Sequence, residues 1–437
     1  MALSQPAFNA ALLAFLGGAP TPFHAVRAMR AALIEAGFAE LDEGAPWQVA
    51  PRGAYFTLRN GSSLIAWRMG TQAARDTGWR LIGAHTDSPC LKLKPQPIVT
   101  AHGYLKAGVE VYGGVLLNPW FDRDLALAGR VTVRTRAGRL AHVLIDSARA
   151  VAIIPSLAIH LDREANESRS INKQTMLPAV LGMAGTAACD WKAFLVAEIK
   201  RAAPRLAIAE VLDFELSFYD VQPPATLGVA QEFIASARLD NLLSCCAGLH
   251  ALIDSRAPTP QLLVCNDHEE VGSGSHAGAR GNFLQSVLQR LSASDEDLTR
   301  ALARSLLVST DNAHGVHPNF ADRHDPEHRP RLNGGPVVKV NANQSYASNS
   351  ESVALFKQAA ASAKVSLQSF VTRTDLPCGS TIGPLTATAL GVRTVDVGVP
   401  TFAMHSIREL CGVDDAHALL RTLSTFLKMT DLRVAPA

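Results

Sequence analysis

A small set of imidazole and carboxylate side chains follows the apolar runs of this sequence. They are His85 and Asp87 after the run 80–83, Glu269 and Glu270 after 261–265, Asp311 after 305–310, His405 after 393–397, and Asp240 at the start of a helical pattern. Imidazole and carboxylate without thiolate form the ligand set that zinc, manganese or cobalt takes in a hydrolytic site. With two side chains set aside for other roles, the remaining five exceed the need of one catalytic zinc and suit two metals that share a bridging carboxylate.

Each of these residues also has an ordinary structural interpretation. A single histidine such as His85 is more often hydrogen-bonded than metal-bound, and a single aspartate at a strand end is more often a cap or a turn residue. The segment GSGSHAG, residues 272–278, suggests a phosphate loop, but it lacks the lysine of that motif and follows two carboxylates. The joint occurrence of the set at strand ends favours a metal centre.

Four further histidines lie close together in the sequence. They are His314, His317, His324 and His328. They could form a separate metal site or belong to a polar surface loop. The many Pro, Asn, Asp and Arg residues of the segment favour the loop.

The elements that must position the candidate ligands alternate after residue 228. Apolar runs predict strands at 261–265, 305–310, 337–340, 367–371 and 393–397, and helical patterns occur at 283–291, 351–364, 382–391 and 414–428. Another helix is predicted from Leu239, with Asp240 in its first turn. Strands that alternate with helices predict an α/β core with a largely parallel sheet, whose ligand site lies beyond the carboxyl ends of the strands.

The chain before residue 230 has two different textures. The first ninety residues predict one helix, at about 22–37, and strands at 54–58, 63–68 and 80–83. From about residue 92 the pattern changes, and RVTVRTRAGRLAHVLID predicts antiparallel strands around a turn at Ala137-Gly138. We therefore predict a discontinuous catalytic domain, 1–91 and 230–437, and an inserted β-rich domain, 92–229, that serves as a dimerisation or lid domain.

Composition narrows the class of protein. The 437 residues carry 41 basic and 39 acidic side chains, so no strong field is available to attract nucleic acid or an anionic membrane. No apolar run reaches the roughly 18 residues of a spanning helix, and the first residues lack a basic start. The seven cysteines are odd in number and form no CxxC pair. We expect a cytoplasmic enzyme without a nucleic-acid or membrane partner.

Six ordered motifs resemble those of one known family. They are AHTDSP at 84–89, SARLDNL at 236–242, HEEVGS at 268–273, STDNAHGVHPN at 309–319, CGSTIGP at 378–384 and AMHSIRE at 403–409. In order and spacing they resemble the aspartyl aminopeptidase family of dinuclear metallo-aminopeptidases. The resemblance extends to GPVVKVNANQSYAS at 335–348 and IPSLAIHLDREANE at 154–167. It implies a zinc-exopeptidase-like α/β core with a mixed, largely parallel sheet flanked by helices.

The resemblance also implies a role for each candidate ligand. His85, Asp240 and Asp311 resemble the ligands of one divalent metal. Asp240, Glu270 and His405 resemble those of a second, so Asp240 is the implied bridge. Zinc is the expected metal at both positions, with manganese or cobalt as alternatives.

Two carboxylates then have roles outside the ligand set. Asp87 would accept the second imidazole proton of His85 and fix its tautomer. Glu269 is the implied general base, which takes a proton from the attacking water and passes it to the leaving amine. Because neighbours on an extended backbone point in different directions, we expect Glu270 to face the metals while Glu269 faces the water.

Substrate and assembly follow from the resemblance alone. It implies peptide substrates with an N-terminal Asp or Glu, whose side-chain carboxylate would meet Lys339. It further implies a tetrahedral homododecamer, in which His160 from the inserted domain of a neighbouring subunit reaches the substrate. The family has a small polar residue where His268 stands, at a position without an assigned role.

Other functions remain as alternatives at this stage. An aminopeptidase of different specificity, or an amidase on the same core, would use the same metal ligands. A non-catalytic scaffold would be favoured by a missing base or bridging ligand, yet every position is filled. A two-metal phosphatase or nuclease would need a wider basic surface, which the near-neutral charge does not offer.

Overall fold

The computed structural model of the chain describes residues 3–185 and 190–435. Residues 1–2 and 436–437 of the predicted catalytic domain, and residues 186–189 of the predicted inserted domain, lie outside the described residues. The described chain divides into two compact units. The first comprises 3–87, 224–404 and 409–435, and the second comprises 88–185, 190–223 and 405–408.

The helices include all of those that the sequence predicts. They are α1 (Gln5–Gly18), α2 (Pro22–Glu35), α3 (Ala74–Thr77), α4 (Trp191–Ala202), α5 (Leu239–Asp254), α6 (Phe283–Arg290), α7 (Asp295–Arg304), α8 (Ser350–Ser362), α9 (Ile382–Leu390) and α10 (Asp415–Leu427). The expectation of a single helix before residue 90 is wrong, because α1 precedes α2 and the short α3 follows it. The sequence of α1 is apolar on most sides, so the amphipathic pattern that would reveal a helix is weak.

The strands fall into three sheets. They are β1 (Ala39–Glu40), β2 (Ala54–Arg59), β3 (Ser63–Arg68), β4 (Arg80–His85), β5 (Cys90–Ala101), β6 (Tyr104–Tyr112), β7 (Leu125–Thr135), β8 (Leu140–Asp146), β9 (Ala179–Met183), β10 (Ile208–Asp220), β11 (Ala225–Leu227), β12 (Phe233–Ser236), β13 (Gln261–Asn266), β14 (Leu306–Thr310), β15 (Ala313–His314), β16 (Val337–Val340), β17 (Gln368–Val371), β18 (Arg393–Gly398), β19 (Pro400–Phe402) and β20 (Glu409–Gly412).

The main sheet of the first unit is mixed and largely parallel, as predicted. Its order is β1-β2-β3-β13-β4-β14-β18-β16-β17. The contiguous strands β13, β4, β14 and β18 are parallel to one another. Strand β3 runs antiparallel to β13, and β16 runs antiparallel to β18. Strand β4, which carries His85, therefore lies inside the parallel block.

Helices cover both faces of this sheet. On β4, Leu81 packs into one apolar cluster and Ile82 into another, and on β14 the same holds for Leu307 and Val308. Since successive side chains of a strand point to opposite faces, the two clusters are the cores on the two sides of the sheet. Fully burying one such side chain stabilises the fold by roughly 1.5–3 kcal/mol. The ends of the parallel strands are held between two packed layers.

The first unit has a second, smaller sheet, and the second unit has one of its own. The smaller sheet has the order β11-β12-β20-β19-β15. In the second unit the order is β8-β7-β10-β5-β6-β9, with every neighbouring pair antiparallel. The predicted turn at Ala137-Gly138 connects β7 to β8, and Gly138 has a φ of 78°. Helix α4 lies in this unit and was missed by the sequence interpretation.

Candidate metal centre and active site

His85 is the last residue of β4 and lies at the centre of a cluster of carboxylates. Its side chain is buried, with Nε2 3.3 Å from Oδ1 of Asp240 and 3.5 Å from Oδ1 of Asp311. One ligand atom from each of these three residues lies within 4.8 Å of the others. The structure thus brings together, at the carboxyl ends of two parallel strands and the start of a helix, three side chains that the sequence predicts to bind one metal.

Backbone and amide hydrogen bonds fix the two aspartates. The peptide N–H of Asp311 donates to the carbonyl of Val397 at 2.9 Å, so the β14–β18 ladder continues through this residue. Asn241 follows Asp240 through a cis peptide bond, and its side-chain amide donates to the carbonyl of Thr310 at 2.7 Å. The start of α5 is thereby tied to the end of β14, and the two carboxylates are held on the same side of His85.

Asp87 holds two parts of the cluster at once. Its Oδ1 lies 3.4 Å from Nδ1 of His85, on the side of the ring away from Asp240, and its own carbonyl oxygen is 3.1 Å from the same nitrogen. The carboxylate also accepts the backbone N–H groups of Glu269 and Glu270, both at 3.1 Å. The sequence predicted the first contact of this buried carboxylate and gave no sign of the second.

Glu269 and Glu270 lie beyond the end of β13, in a single turn of 3₁₀ helix. The expectation that they continue an extended backbone is wrong, because His268 has a φ of 64° and turns the chain out of the strand. In a 3₁₀ turn, successive side chains still point about 120° apart. Both carboxylates remain near His85, since one ligand atom from each lies within 4.8 Å of the others and of the imidazole.

The charges of the cluster shift the pKa values of its members. Burial raises the pKa of Glu269 to about 7. His85 opposes this rise, and the negative charges of Asp311, Asp240 and Asp87 add to it. Burial and the charge of Asp240 raise the pKa of Glu270. Burial alone would lower the pKa of His85, but hydrogen bonds to the surrounding aspartates raise it well above its usual value. Burial and negative charge thus act together on the pKa values of the two glutamates, whereas on His85 the negative charge outweighs the effect of burial.

Lys339 contacts this cluster from strand β16. Its Nζ is 3.3 Å from Oδ2 of Asp311, 3.1 Å from the carbonyl oxygen of Asn312 and 5.1 Å from the ring centre of Tyr346. Only 2% of its surface is exposed. The ammonium group that the sequence assigns to a substrate carboxylate therefore already has a carboxylate of the protein beside it.

A cavity of ≈ 330 Å³ adjoins Tyr346 in the first unit. Its lining includes His314, Arg323, His324, Phe370 and Arg373. Burial and the charge of Lys339 lower the pKa of His314. The negative charges of Asp240 and Asp311 act against that shift, so the imidazole is close enough to these carboxylates to feel their charge.

The four histidines of this region do not gather into a metal site. His328 lies 2.7 Å from a carboxylate oxygen of Asp325. Across residues 3–185 and 190–435, no group of three or more potential ligands contains His314, His317, His324 or His328.

The two remaining predicted site residues belong to the second unit. His160 is exposed in the loop between β8 and β9. His405 lies in segment 405–408, has a φ of 68°, and places Nδ1 3.1 Å from the carbonyl oxygen of Gly114 in the same unit. The role of His160 toward a neighbouring subunit and that of His405 as a ligand stay predictions.

Comparison with known proteins determines the family of this chain. The sequence profile of the Aminopeptidase I zinc metalloprotease family (M18) matches residues 15–427. The chain belongs to the M18 family of aminopeptidases. It is 53% identical over 425 residues to a probable M18 family aminopeptidase 2 of Pseudomonas paraeruginosa (strain DSM 24068 / PA7), which covers 97% of this chain and 99% of the relative.

Solved structures share the fold of this M18 aminopeptidase. Ape4, in its complex with Nbr1, superposes with a TM-score of 0.94 at 38% identity, covering 97% of this chain and 86% of the other. The mApe1 dodecamer of S. cerevisiae gives a TM-score of 0.83 at 28% identity, with 96% of each chain covered. Residues 3–185 and 190–435 of this M18 aminopeptidase contain no helix that is long and apolar enough to cross a lipid bilayer.

The donor set of this M18 aminopeptidase fits the zinc that its family name specifies. The buried or half-buried carboxylates near His85 are Asp87, Asp240, Glu269, Glu270 and Asp311. Carboxylates this close cost free energy to bury unless cations neutralise them. Imidazole and carboxylate oxygen are zinc ligands, and a carboxylate on the far ring nitrogen is the usual partner of a zinc-bound histidine. The residues present therefore suit zinc in chemistry and in charge.

Asp396 is a buried carboxylate near this site that the sequence interpretation missed. It lies in the middle of β18, within RTVDVG, and is fully buried. Lys and carboxylate side chains are rarely found at such depth without a partner. A charged residue inside an otherwise apolar strand was therefore the signal that could have found it.

Proposed function

We propose that this M18 metallo-aminopeptidase removes N-terminal Asp or Glu from peptides with two divalent metal ions, most simply zinc. The observation that carries the proposal is the cluster around His85, where Asp240 and Asp311 face one ring nitrogen and Asp87 faces the other. His85, Asp240 and Asp311 would hold one ion, and Asp240, Glu270 and His405 the other. Divalent ions in such a site supply Lewis-acid activation of the scissile carbonyl and of water.

Glu269 is the proposed general base of this reaction. It takes a proton from the attacking water and later passes it to the leaving amine. Its carboxylate lies close to His85 and Glu270 and is left outside both proposed ligand sets, as a general base must be. Asp87 orients His85 through Nδ1 and holds the backbone of Glu269, so it positions a ligand and the base together.

Lys339 is the proposed partner of the acidic side chain of the substrate. The cavity beside Tyr346 supports an anionic group there, because the guanidinium groups of Arg323 and Arg373 line it. One observation favours a second candidate, an aminopeptidase without acidic preference. Nζ of Lys339 is buried and 3.3 Å from Asp311, so a substrate carboxylate would have to compete with a carboxylate of the protein.

Assembly and location belong to the same proposal. The dodecamer of the related mApe1 supports a homo-oligomer, with the tetrahedral dodecamer as the specific expectation. In it the second unit would serve as a dimerisation or lid domain, and His160 would reach the substrate of a neighbouring subunit. The free thiols of Cys90, Cys245, Cys246, Cys265, Cys378 and Cys411 support a reducing compartment such as the cytoplasm.

A substrate and metal panel tests this function. The purified protein is assayed with Asp-, Glu-, Ala- and Leu-anilides after addition of zinc, manganese or cobalt. We expect kcat/KM for the acidic substrates to exceed that for Ala-anilide by at least about tenfold, the scale of one charge-assisted hydrogen bond. Equal values for all four would refute the acidic preference and leave the second candidate, while cleavage of none would contradict aminopeptidase activity.

Lys339→Met tests the binding of the acidic substrate side chain separately from the catalytic step. This variant should lower kcat/KM for Asp-anilide more than for Ala-anilide. Equal losses for the two substrates would remove Lys339 from the acidic pocket.

A further inference from the structure

Asp396 lies on the same face of the main sheet as the metal ligands, one row of side chains below them. In the register of the sheet, Asp396 of β18 pairs with Ser309 of β14 on one side and with Lys339 of β16 on the other. Asp311 follows Ser309 by two residues, and side chains two apart share a face. The side chain of Asp396 therefore lies in the row next to that of Asp311, one row nearer the middle of the sheet.

Two loops are anchored on the Asp396 carboxylate. The hydroxyl of Thr381, the residue before α9, donates to Oδ1 at 2.6 Å. The backbone N–H of Ala347 donates to Oδ2 at 2.7 Å, and the N–H of Asp396 itself donates to the hydroxyl of Ser348 at 2.9 Å. A single side chain thus fixes both the loop before α8 and the loop before α9.

The start of α9 lies directly against this carboxylate. At Gly383 an added Cβ atom would be 2.3 Å from Oδ1 and 2.6 Å from Oδ2 of Asp396. No side chain fits there without displacing one of the two. The helix approaches so closely because residue 383 is glycine, so the close contact between helix and carboxylate is built into the fold.

Two paths lead from Asp396 to the cluster around His85. The first is Lys339, which neighbours Asp396 across the strands and whose Nζ is 3.3 Å from Asp311. Burial raises the pKa of Asp396, and the charge of Lys339 acts against that rise. The second path is the backbone of Ala347, since the preceding residue, Tyr346, places its ring 5.1 Å from Nζ of Lys339.

We propose that Asp396 is a positioning residue that fixes Lys339 and Tyr346 beside Asp311. It offers Lys339 a negative neighbour across the β16–β18 pair, and it holds the loop that carries Tyr346. The Lys339 ammonium is thereby kept at the end of the cluster where the acidic side chain of the substrate would bind. This inference rests on the role of Lys339 in the proposed function.

A double-mutant cycle on the metal-loaded enzyme tests the proposal. Asp396→Asn, Lys339→Met and the double variant are compared by kcat and KM for Asp-anilide and Ala-anilide, with zinc content measured for each. We expect Asp396→Asn to reduce the ratio of kcat/KM for the two substrates at least about fivefold, mainly through KM, with zinc content unchanged. The double variant should be no worse than Lys339→Met, because contacting residues that act together are not additive.

Additive effects in the double variant, or equal losses for both substrates through kcat alone, would overturn the role of Asp396. If Lys339→Met leaves the ratio unchanged, the proposed acidic pocket fails by itself. The inference is then judged from kcat/KM for Ala-anilide. Coupling of the two substitutions keeps Asp396 as the residue that positions Lys339, and additivity removes it.

A second pair of variants covers the case in which Asp396→Asn does not fold. Thr381→Val removes the hydroxyl that donates to Asp396, and Thr381→Ser keeps it. Thr381→Val should raise KM for Asp-anilide, as Asp396→Asn does, and Thr381→Ser should keep KM near the wild-type value. Ser294→Ala, which removes the cap of α7, is the matched control for loss of a helix cap and should leave both KM values unchanged. Equal KM values in the two Thr381 variants would contradict the proposal.

Discussion

Replacement of Asp87 by Asn should weaken metal binding without changing the shape of the site. The partners of the buried carboxylate include Nδ1 of His85 at 3.4 Å and the backbone N–H groups of Glu269 and Glu270 at 3.1 Å each. Asparagine has the same outline, but it lacks the charge and retains one acceptor oxygen in place of two. In either orientation its amide NH₂ faces a backbone N–H group, which is that of Glu270 at the Oδ2 position or that of Glu269, together with Nδ1 of His85, at the Oδ1 position.

Two independent magnitudes agree for this substitution. One buried N–H group left without an acceptor costs about 1–3 kcal/mol, and the loop that would bear this cost carries Glu269 and Glu270. Removal of the carboxylate behind a metal-binding histidine typically weakens metal affinity by about 10–100-fold, or about 1.4–2.7 kcal/mol. We therefore expect the zinc affinity of Asp87→Asn to fall by about one to two orders of magnitude.

The assay is a titration of the apo-protein with buffered zinc, followed by a competing fluorescent chelator. Asp415→Asn is the matched control, because Asp415 is also fully buried and also accepts backbone N–H groups, those of Asn333, Gly335 and Gly412. The control should keep wild-type zinc affinity. If Asp87→Asn also binds zinc within about twofold of wild type, Asp87 does not orient His85 and the argument from the ring nitrogen is refuted.

Three further outcomes follow from the site and its surroundings. Glu269→Gln should keep its metal content while kcat falls by about 10²–10⁴-fold, and near-normal turnover would remove Glu269 as the base. Gly383→Ala should lower the free energy of unfolding in urea by about 1–3 kcal/mol, because its Cβ would lie 2.3 Å from Asp396, whereas Gly274→Ala has nothing within 4 Å and should change it by less than about 0.5 kcal/mol. Burial raises the pKa of Asp415 to about 6 from 3.8. The folded state therefore binds the proton more tightly, and its extra stability, present at low pH, is lost as pH rises through 6. Relative to Asp415→Asn, wild type should lose about 1 kcal/mol of unfolding free energy between pH 5 and pH 7, and a flat difference would contradict this.

Strand ends were predictable because apolar runs bounded by polar residues carry a strong signal. The run before Asp311 predicted 305–310, and β14 spans Leu306–Thr310. The parallel arrangement of these strands followed from their alternation with helices, so the meeting of His85 and Asp311 at one edge followed as well. Residues that depend on this regular geometry were within reach of the sequence.

Contacts that depend on irregular backbone or on strand pairing could not be predicted from the sequence. The 3₁₀ turn at Glu269 depends on the left-handed conformation of His268, which is uncommon for a residue other than glycine. The contact between Lys339 and Asp311 depends on β16 running antiparallel to β18. The sequence of neither strand reveals which strand it pairs with or in which direction. Helix α1 lacked an amphipathic signal because most of its faces are apolar.

The position of β4 in the main sheet has a consequence for synthesis of the chain. Its two neighbours are β13 and β14, which begin at residues 261 and 306. At roughly 5–20 residues per second, a ribosome needs on the order of ten seconds or more after making β4 before either neighbour exists. During that time an apolar strand with two unpaired edges waits in the nascent chain, which is a state prone to aggregation. Ribosome-bound chains that end before β13 should therefore hold chaperones that full-length chains have already released.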